Sequence, residues 1–264
     1  MKKEYENVIT QHMGVEPIEI NSALVSAQNR ERIYWTNIPG VMQPADKRIS
    51  LEDILEDTTW TGPGAIRGRR LNKGTILGRR LNENGHREDY NKNVPITQCL
   101  EVRATNTNKS NCLTTVEKDN VLTPLPIGRH KDAFKNNLPF RYYTVKEYCR
   151  LQTLPDDYMN GISDSQAKKC LGNGWTGDVI AHILSYIPEA YLQTVVSLFD
   201  GISCGQVALE RARKVYNQYY ASEIDKYAIQ VTQKNFPHTM QLGDITNIDW
   251  ETFKERINII QKVS

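Results

Sequence analysis

From Val195 to Leu209 the chain reads Val-Val-Ser-Leu-Phe-Asp-Gly-Ile-Ser-Cys-Gly-Gln-Val-Ala-Leu, an order of residue types suited to holding a nucleotide. The β-branched and apolar run Val195 to Phe199 predicts a buried strand, Gly201 breaks it, and Gln206 to Arg211 predicts the opening of a helix. A strand, a glycine turn and a helix N-terminus leave free backbone N–H groups pointing at whatever lies above the turn. About twenty residues on, a second strand, Tyr219 to Ser222, ends in Glu223-Ile-Asp225, where a carboxylate can accept hydrogen bonds from a ribose. A third short strand, Met240 to Leu242, carries Gly243-Asp-Ile-Thr246 at its tip. Phe/Gly, Glu and Asp at three consecutive strand tips describe a site for an adenosine moiety.

Other elements must position these tips. Lys2 to Met13 has helical spacing, with Gly14 placed to end the helix as its C′ residue. Val15 to Asn21 and Arg32 to Asn37 predict neighbouring strands joined by a turn at Gln28-Asn-Arg-Glu31. Arg30 and Arg32 alternate on an extended segment, so both guanidiniums project to one side. Ser50 caps a short helix, and Thr144 caps another through Leu151 with Glu147 at the capping-box position. Ser165 to Cys170 and Val179 to Tyr186 predict two more helices, and Pro188 to Thr194 a short joint to the first strand of the cradle. Thr97 to Arg103 and Asn111 to Val116 alternate as strands of a small β-rich module.

These motifs resemble those of the DNA cytosine-5 methyltransferases. Phe199-Asp-Gly201, Ser222 to Ala228 and Gly243 to Thr246 look like the family's first three motifs. Ala27 to Trp35 resembles the Gln-x-Arg-x-Arg motif through Gln28, Arg30 and Arg32; Arg141 to Asp156 resembles the ninth motif and its sequel, and Cys170 to Trp175 the tenth. The order is circularly permuted. The resemblance implies an α/β fold, with a Rossmann-like S-adenosylmethionine-dependent methyltransferase sheet (permuted and incomplete) and a small β-rich target-recognition domain. It divides the chain into residues 1–58, the end of the catalytic domain with the Gln-x-Arg-x-Arg motif, and 59–140, target recognition. Residues 141–190 would be helices closing the cofactor site, and 191–264 the S-adenosylmethionine-binding part.

By the same resemblance Phe199 flanks adenine, Gly201 admits the methionine end of S-adenosylmethionine, Glu223 holds the ribose and Asp244 the adenine amino group. Asn173 and Gly174 close the site, with Asp200, Ser203, Ile224 and Ile245 beside these groups. Ser203-Cys204 stands where many relatives have Gly-Gly, which puts the geometry of the turn in question. Arg30 and Arg32 would face a cytosine flipped from double-stranded DNA and its phosphate, with Arg32 near the base O2, and Gln28 would belong to the same catalytic group. Attack at C6 needs a thiolate, which the family takes from a Pro-Cys loop after the fourth strand, aided by a Glu-Asn-Val tripeptide after the fifth. None of the five cysteines follows a proline, and Glu6-Asn-Val8 falls inside the predicted first helix. The fourth strand is expected at Ile257 to Ile260; a fifth, central in this fold, is absent, so something else should fill its place. Two readings follow: a segment of a methyltransferase completed by a second polypeptide bearing the nucleophile, or a non-catalytic DNA- and cofactor-binding remnant from a phage or restriction–modification system.

The stretch most suited to DNA is basic. Ala65 to Asn72 and Thr75 to Asn82 repeat with a ten-residue offset, either as a paired strand–turn element or as a local duplication. Arg67, Arg69, Arg70, Arg79 and Arg80 lie in it, and the alternatives are DNA contact and a solvated loop. The formal net charge is only +2, so any nucleic-acid footprint is local. The cysteines lack metal-ligand spacing and are expected in the core. No apolar run approaches membrane-spanning length and no signal core opens the chain, which points to a cytoplasmic protein, bacterial or phage-encoded, acting at the nucleoid.

Overall fold

The computed structural model describes residues 2–103, 108–189 and 191–255. In chain order its main elements are α1 (Lys3–Met13), β1 (Ile18–Asn21), β2 (Glu31–Tyr34), β3 (Asn72–Arg80), β4 (Ile96–Val102), β5 (Val121–Thr123), β6 (Gly128–His130) and β7 (Arg141–Tyr142). There follow α2 (Val145–Leu151), α3 (Asp164–Asn173), α4 (Gly177–Ser185), β8 (Tyr191–Leu198), α5 (Cys204–Arg211), β9 (Val215–Ser222), α6 (Lys226–Asn235) and β10 (Met240–Gln241). The strand expected at Ile257 to Ile260 lies outside the described residues. No helix among them is long and apolar enough to cross a membrane.

The fold is mixed α/β, with three sheets among the described residues. β8, β9 and β10 form a parallel sheet in the order β10-β9-β8, joined through α5 and α6. β8 is longer than its β-branched core suggests, because Tyr191 to Thr194, expected as a joint, already pairs with Val215 to Gln218. An antiparallel sheet in the order β6-β4-β3-β5-β7 makes a second unit with its own core of Ile76, Leu100, Val102 and Val121. It includes Arg141 and Tyr142, so it runs just past the sequence boundary at 140. The largest core gathers α2, α3, α5 and α6 around Tyr148, Leu151, Leu171 and Val207.

Several local expectations change in three dimensions. Residues Gln28 to Glu31 are no turn: Gln28 makes a parallel bridge with Ser110, Glu31 begins β2, and the β1–β2 connection bends instead through a 3-10 turn at Ser22–Leu24. Asn111 to Val116 is not a strand, because Arg30 takes the Leu113 carbonyl and Asn120 the Cys112 carbonyl; Val121–Thr123 joins the sheet in its place. The repeat adopts two conformations: Gly64 and Gly68 turn the first copy at φ 100° and 83°, whereas the second copy is β3. At Ser50 the roles reverse, since its hydroxyl donates to Asp53 at 2.8 Å before a 3-10 turn. Helix α1 ends at Gly14 with φ 66°, as its spacing predicts, but buries no residue.

The capping box of α2 does more than start a helix. Glu147 is fully buried, accepts from the Thr144 and Glu56 backbone N–H groups, and receives a bidentate pair from Arg141 at 2.8 and 2.8 Å. It therefore ties the end of the five-stranded sheet to the helical core. In Glu147→Ala the Arg141 charge is left unpaired, and urea denaturation is expected to show a loss of about 3–5 kcal/mol. The lower figure is favoured because 23% of the Arg141 side chain stays in solvent.

Candidate cofactor and nucleic-acid sites

At the end of β8 the backbone turns sharply. Phe199, Gly201 and Ser203 have φ of 55°, 60° and 59°, the left-handed region that only glycine enters freely. Ser203 tolerates it because its neighbours hold it: its hydroxyl donates to Asp200 Oδ2 at 2.7 Å and accepts from Gln206 Nε2 at 2.8 Å. Asp200 also accepts from the Tyr219 hydroxyl at 2.8 Å, and burial pushes its carboxyl above the usual range. Tyr158, from the loop after α2, donates to the Ile202 carbonyl at 2.6 Å. Phe199 is left 74% exposed. Strain of this kind persists only where surroundings fix it, and it clusters at ligand clamps.

Glu223, at the tip of β9, locks the turn from below. Its Oε2 accepts from the Gly201 N–H at 2.8 Å, and its Oε1 from Ile224 and Asp225 at 2.7 and 2.8 Å. Of a carboxylate's roughly four lone-pair positions, one on Oε2 is left for a ligand. Around the turn lies a cavity of about 180 Å³, bringing together Phe199, Asp200, Gly201, Glu223, Asn173 and Gly174. The remaining sequence candidates stand outside its wall. Ser203 is buried beneath the turn and Ile224 is 74% exposed beside it. Asp244 accepts from the Thr246 N–H and hydroxyl at 2.9 and 2.8 Å, bonds that hold its carboxyl below the usual range, and Ile245 begins the 3-10 turn that Asp244 caps.

Sequence reasoning missed Trp175, Cys170 and Asp225 in the cavity wall. Trp175 and Asp225 were readable, each being adjacent to a motif residue; Tyr158 was not, since it reaches Ile202 from 44 residues away. Gly172 was also missed. A Cβ there would meet the Thr114 backbone at 2.4 Å, so the approach of α3 to that segment requires glycine.

The Gln-x-Arg-x-Arg residues divide by burial. Gln28 is fully buried, donating to Leu151 O, Gln152 Oε1 and Thr176 Oγ1, while its own Oε1 accepts from Leu113 N. Arg30, 6% exposed, donates to Leu113 O and Gly174 O at 2.9 and 2.9 Å, and to Gly172 O and Cys112 Sγ at 3.3 and 3.3 Å. Burial lowers its pKa. Gln28 and Arg30, expected in the catalytic group, instead spend their hydrogen bonds inside the protein. Arg32 is exposed, and its Nη2 lies 3.5 Å from Cys112 Sγ, so the two arginines do face one side. They open onto a second cavity of about 780 Å³ between β2, α4 and β8. Among the described residues β8 pairs only with β9, and Val196 and Leu198 are 38% and 42% exposed beside this cavity.

The basic stretch also divides. Arg79 pairs with Glu101 at 3.2 Å and with Asp89 at 3.6 Å, Arg80 donates to the Val94 and Lys92 carbonyls, and Arg70 pairs with Glu52. Arg67 and Arg69 are exposed.

A family model, C-5 cytosine-specific DNA methylase, matches residues 24–189 and 193–262. No curated protein matches the chain.

Four cysteines are buried, and burial raises their thiols: Cys149 and Cys204 to about 12, Cys170 to about 11, and Cys99 in the same direction. Cys112, expected in the core, is only half-buried, with its sulfur 3.3 Å from Arg30 Nη1 and 3.5 Å from Arg32 Nη2. Limited alkylation with iodoacetamide and peptide mapping should therefore label Cys112 first. Labelling of Cys204 or Cys149 ahead of it would mean that the helical core is not packed as described.

Proposed function

Because the chain belongs to the C-5 cytosine-specific DNA methylase family, we propose that it binds S-adenosylmethionine and double-stranded DNA for methyl transfer to C5 of a flipped cytosine. In this reading β8, β9 and β10 are the first three strands of a Rossmann-like sheet whose order in the chain is permuted. Residues 59–140 form the target-recognition domain, and 141–190 close the cofactor site. The observation that carries the reading is the strained Phe199–Ser203 turn at the carboxyl end of a parallel sheet, pinned by Glu223 and leaving an aromatic ring exposed.

The residues suit the cofactor. Small-molecule sites usually enclose roughly 300–1,000 Å³; at about 180 Å³ this cavity takes one end of the molecule, and the exposed Phe199 and Ile224 cover the rest. Glu223 offers its free lone pair to a ribose hydroxyl, the Gly201 turn lets backbone approach, and Asn173, Gly174 and Trp175 form the facing wall. When bound, S-adenosylmethionine supplies the methyl group. On the other side of β8, Arg32 presents a guanidinium to the flipped base, while Gln28 and Arg30 act as positioning residues that fix the segment carrying it.

The thiolate that adds to C6 comes from outside these 264 residues, since none of their cysteines follows a proline. The 780 Å³ cavity lies beside β8, which pairs only with β9 among the described residues; a Pro-Cys loop has room there, and a second polypeptide is one source for that loop and for the missing fifth strand. The absence of the nucleophile also suits a non-catalytic binding remnant, and activity separates the two.

Glu223→Ala is expected to weaken S-adenosylmethionine by about 1.5–3 kcal/mol, the worth of a hydrogen bond to a charged group. Titration calorimetry tests this, and unchanged affinity removes Glu223 from the site. The 264 residues alone are expected to transfer no tritiated methyl to mixed-sequence DNA. Activity returning with a polypeptide that carries the Pro-Cys loop supports the split reading, and continued silence with such partners supports the remnant. Turnover by the chain alone, abolished by one cysteine substitution, would refute the assignment of the nucleophile to another segment.

A further inference from the structure

A small basic pocket lies away from both cavities. Arg70, Lys73, Arg103 and Lys109, with Asn72 and Asn108, surround a space of about 220 Å³. At ~30 Å³ per water in the liquid, that is room for a phosphate group and part of its hydration shell.

The charges there do not balance. Glu52 pairs with Arg70, and Glu101 with Arg103 at 2.7 Å. Lys109, 8% exposed, donates only to carbonyls, those of Ala23 at 2.8 Å, Ser26 at 3.0 Å and Ile49. Lys73, half-buried, donates to the Lys109 carbonyl at 2.5 Å, and its other N–H groups meet no acceptor among the described residues. Among the described residues neither ammonium has a carboxylate partner; Asp46 and Asp53 act on Lys109 only from a distance. Burial lowers the pKa of both lysines. A desolvated cation without a counter-charge is expensive to keep, and an anion in the pocket removes the deficit.

The pocket also lies in line with the arginine pair. Lys109 is followed by Ser110, which bridges Gln28, and by Cys112, whose sulfur touches Arg32. Three residues span at most about 10 Å, which matches the rise of about three base-pair steps along the DNA helix axis at ~3.4 Å each. We propose that the pocket formed by Arg70, Lys73, Arg103 and Lys109 is a phosphate site that grips the DNA backbone a few nucleotides from the base presented to Arg32. Lys73 supplies the donors and Arg103 the exposed rim, while Lys109 contributes charge and holds the floor. The source of the phosphate rests on the proposed DNA substrate; the pocket itself does not.

The test uses the full chain and the variants Lys73→Met and Arg103→Gln. Fluorescence anisotropy with a mixed-sequence duplex over a chloride series gives the slope of log affinity against log salt. Each variant is expected to flatten that slope by about one, the share of one phosphate contact, and to weaken all sequences alike. Lys73→Met is expected to melt no lower than wild type without DNA, because an uncompensated charge has been removed. If Lys73→Met folds poorly, Arg103→Gln, 71% exposed at its side chain, carries the same test. Inorganic phosphate at matched ionic strength supplies the second arm. Protection of wild type but not of Lys73→Met, with an unchanged DNA slope, would make this a free-phosphate site and overturn the DNA assignment. No protection and no change of slope would overturn the site. Wild type without salt-dependent DNA binding would refute the DNA substrate itself, and the phosphate arm would still decide the pocket.

Discussion

Arg30 holds three distant stretches of chain in one place, and both cavities depend on it. Its guanidinium reaches the Leu113 carbonyl from one side and those of Gly172 and Gly174 from the other. Hydrogen bonds from a charged donor contribute about 1.5–3 kcal/mol each, and an orphaned buried carbonyl costs a comparable amount. No carboxylate balances Arg30 among the described residues, so its place is fixed by geometry rather than by ion pairing. Gln28, two residues earlier, does the same with neutral groups, linking Leu113 to Leu151, Gln152 and Thr176. Gly172 makes the arrangement possible, because only a residue without Cβ lets α3 lie against the Thr114 backbone.

From that knot the two cavities diverge. Asn173 and Trp175, just past the carbonyls that Arg30 holds, line both the small cavity at the β8 turn and the large one at the open edge of β8. A shift of the Gly172–Trp175 segment therefore moves both walls together. Such a shared wall lets methyl donor and target base approach the tip of one strand from opposite sides, which the proposed reaction requires. The turn between them keeps its left-handed residues because Glu223, Asp200, Tyr158 and Gln206 restrain it from four directions.

Positive charge is distributed by sheet geometry rather than by local composition. Arg79 lies on the arginine-rich repeat, yet β-pairing places it beside Glu101, where it is 14% exposed and neutralised. Lys73, an inconspicuous residue between the two copies, ends in a pocket, because β3 begins there beside the segment that carries Lys109. Runs of arginine thus identify a region, and pairing register decides which members of it meet solvent or an anion.

The sequence by itself determined the parallel unit and its strand tips. Period-two apolar runs, Gly201, Glu223 and the capping pair Thr144 and Glu147 act within a few residues of their own positions, so local chemistry suffices to place them. It also determined the family, through motifs whose residue types the family shares. It did not determine which motif residues touch a ligand. Gln28, Arg30 and Arg32 alternate identically in sequence, but the first two face Leu113, Leu151 and Gly174, groups more than eighty residues away, and only Arg32 meets solvent. The strand expected at Asn111 to Val116 gives way to side chains that take its carbonyls, Arg30 from 83 residues away at Leu113 and the nearer Asn120 at Cys112. Burial and hydrogen-bond satisfaction are set by partners far along the chain, and only tertiary structure brings those partners together.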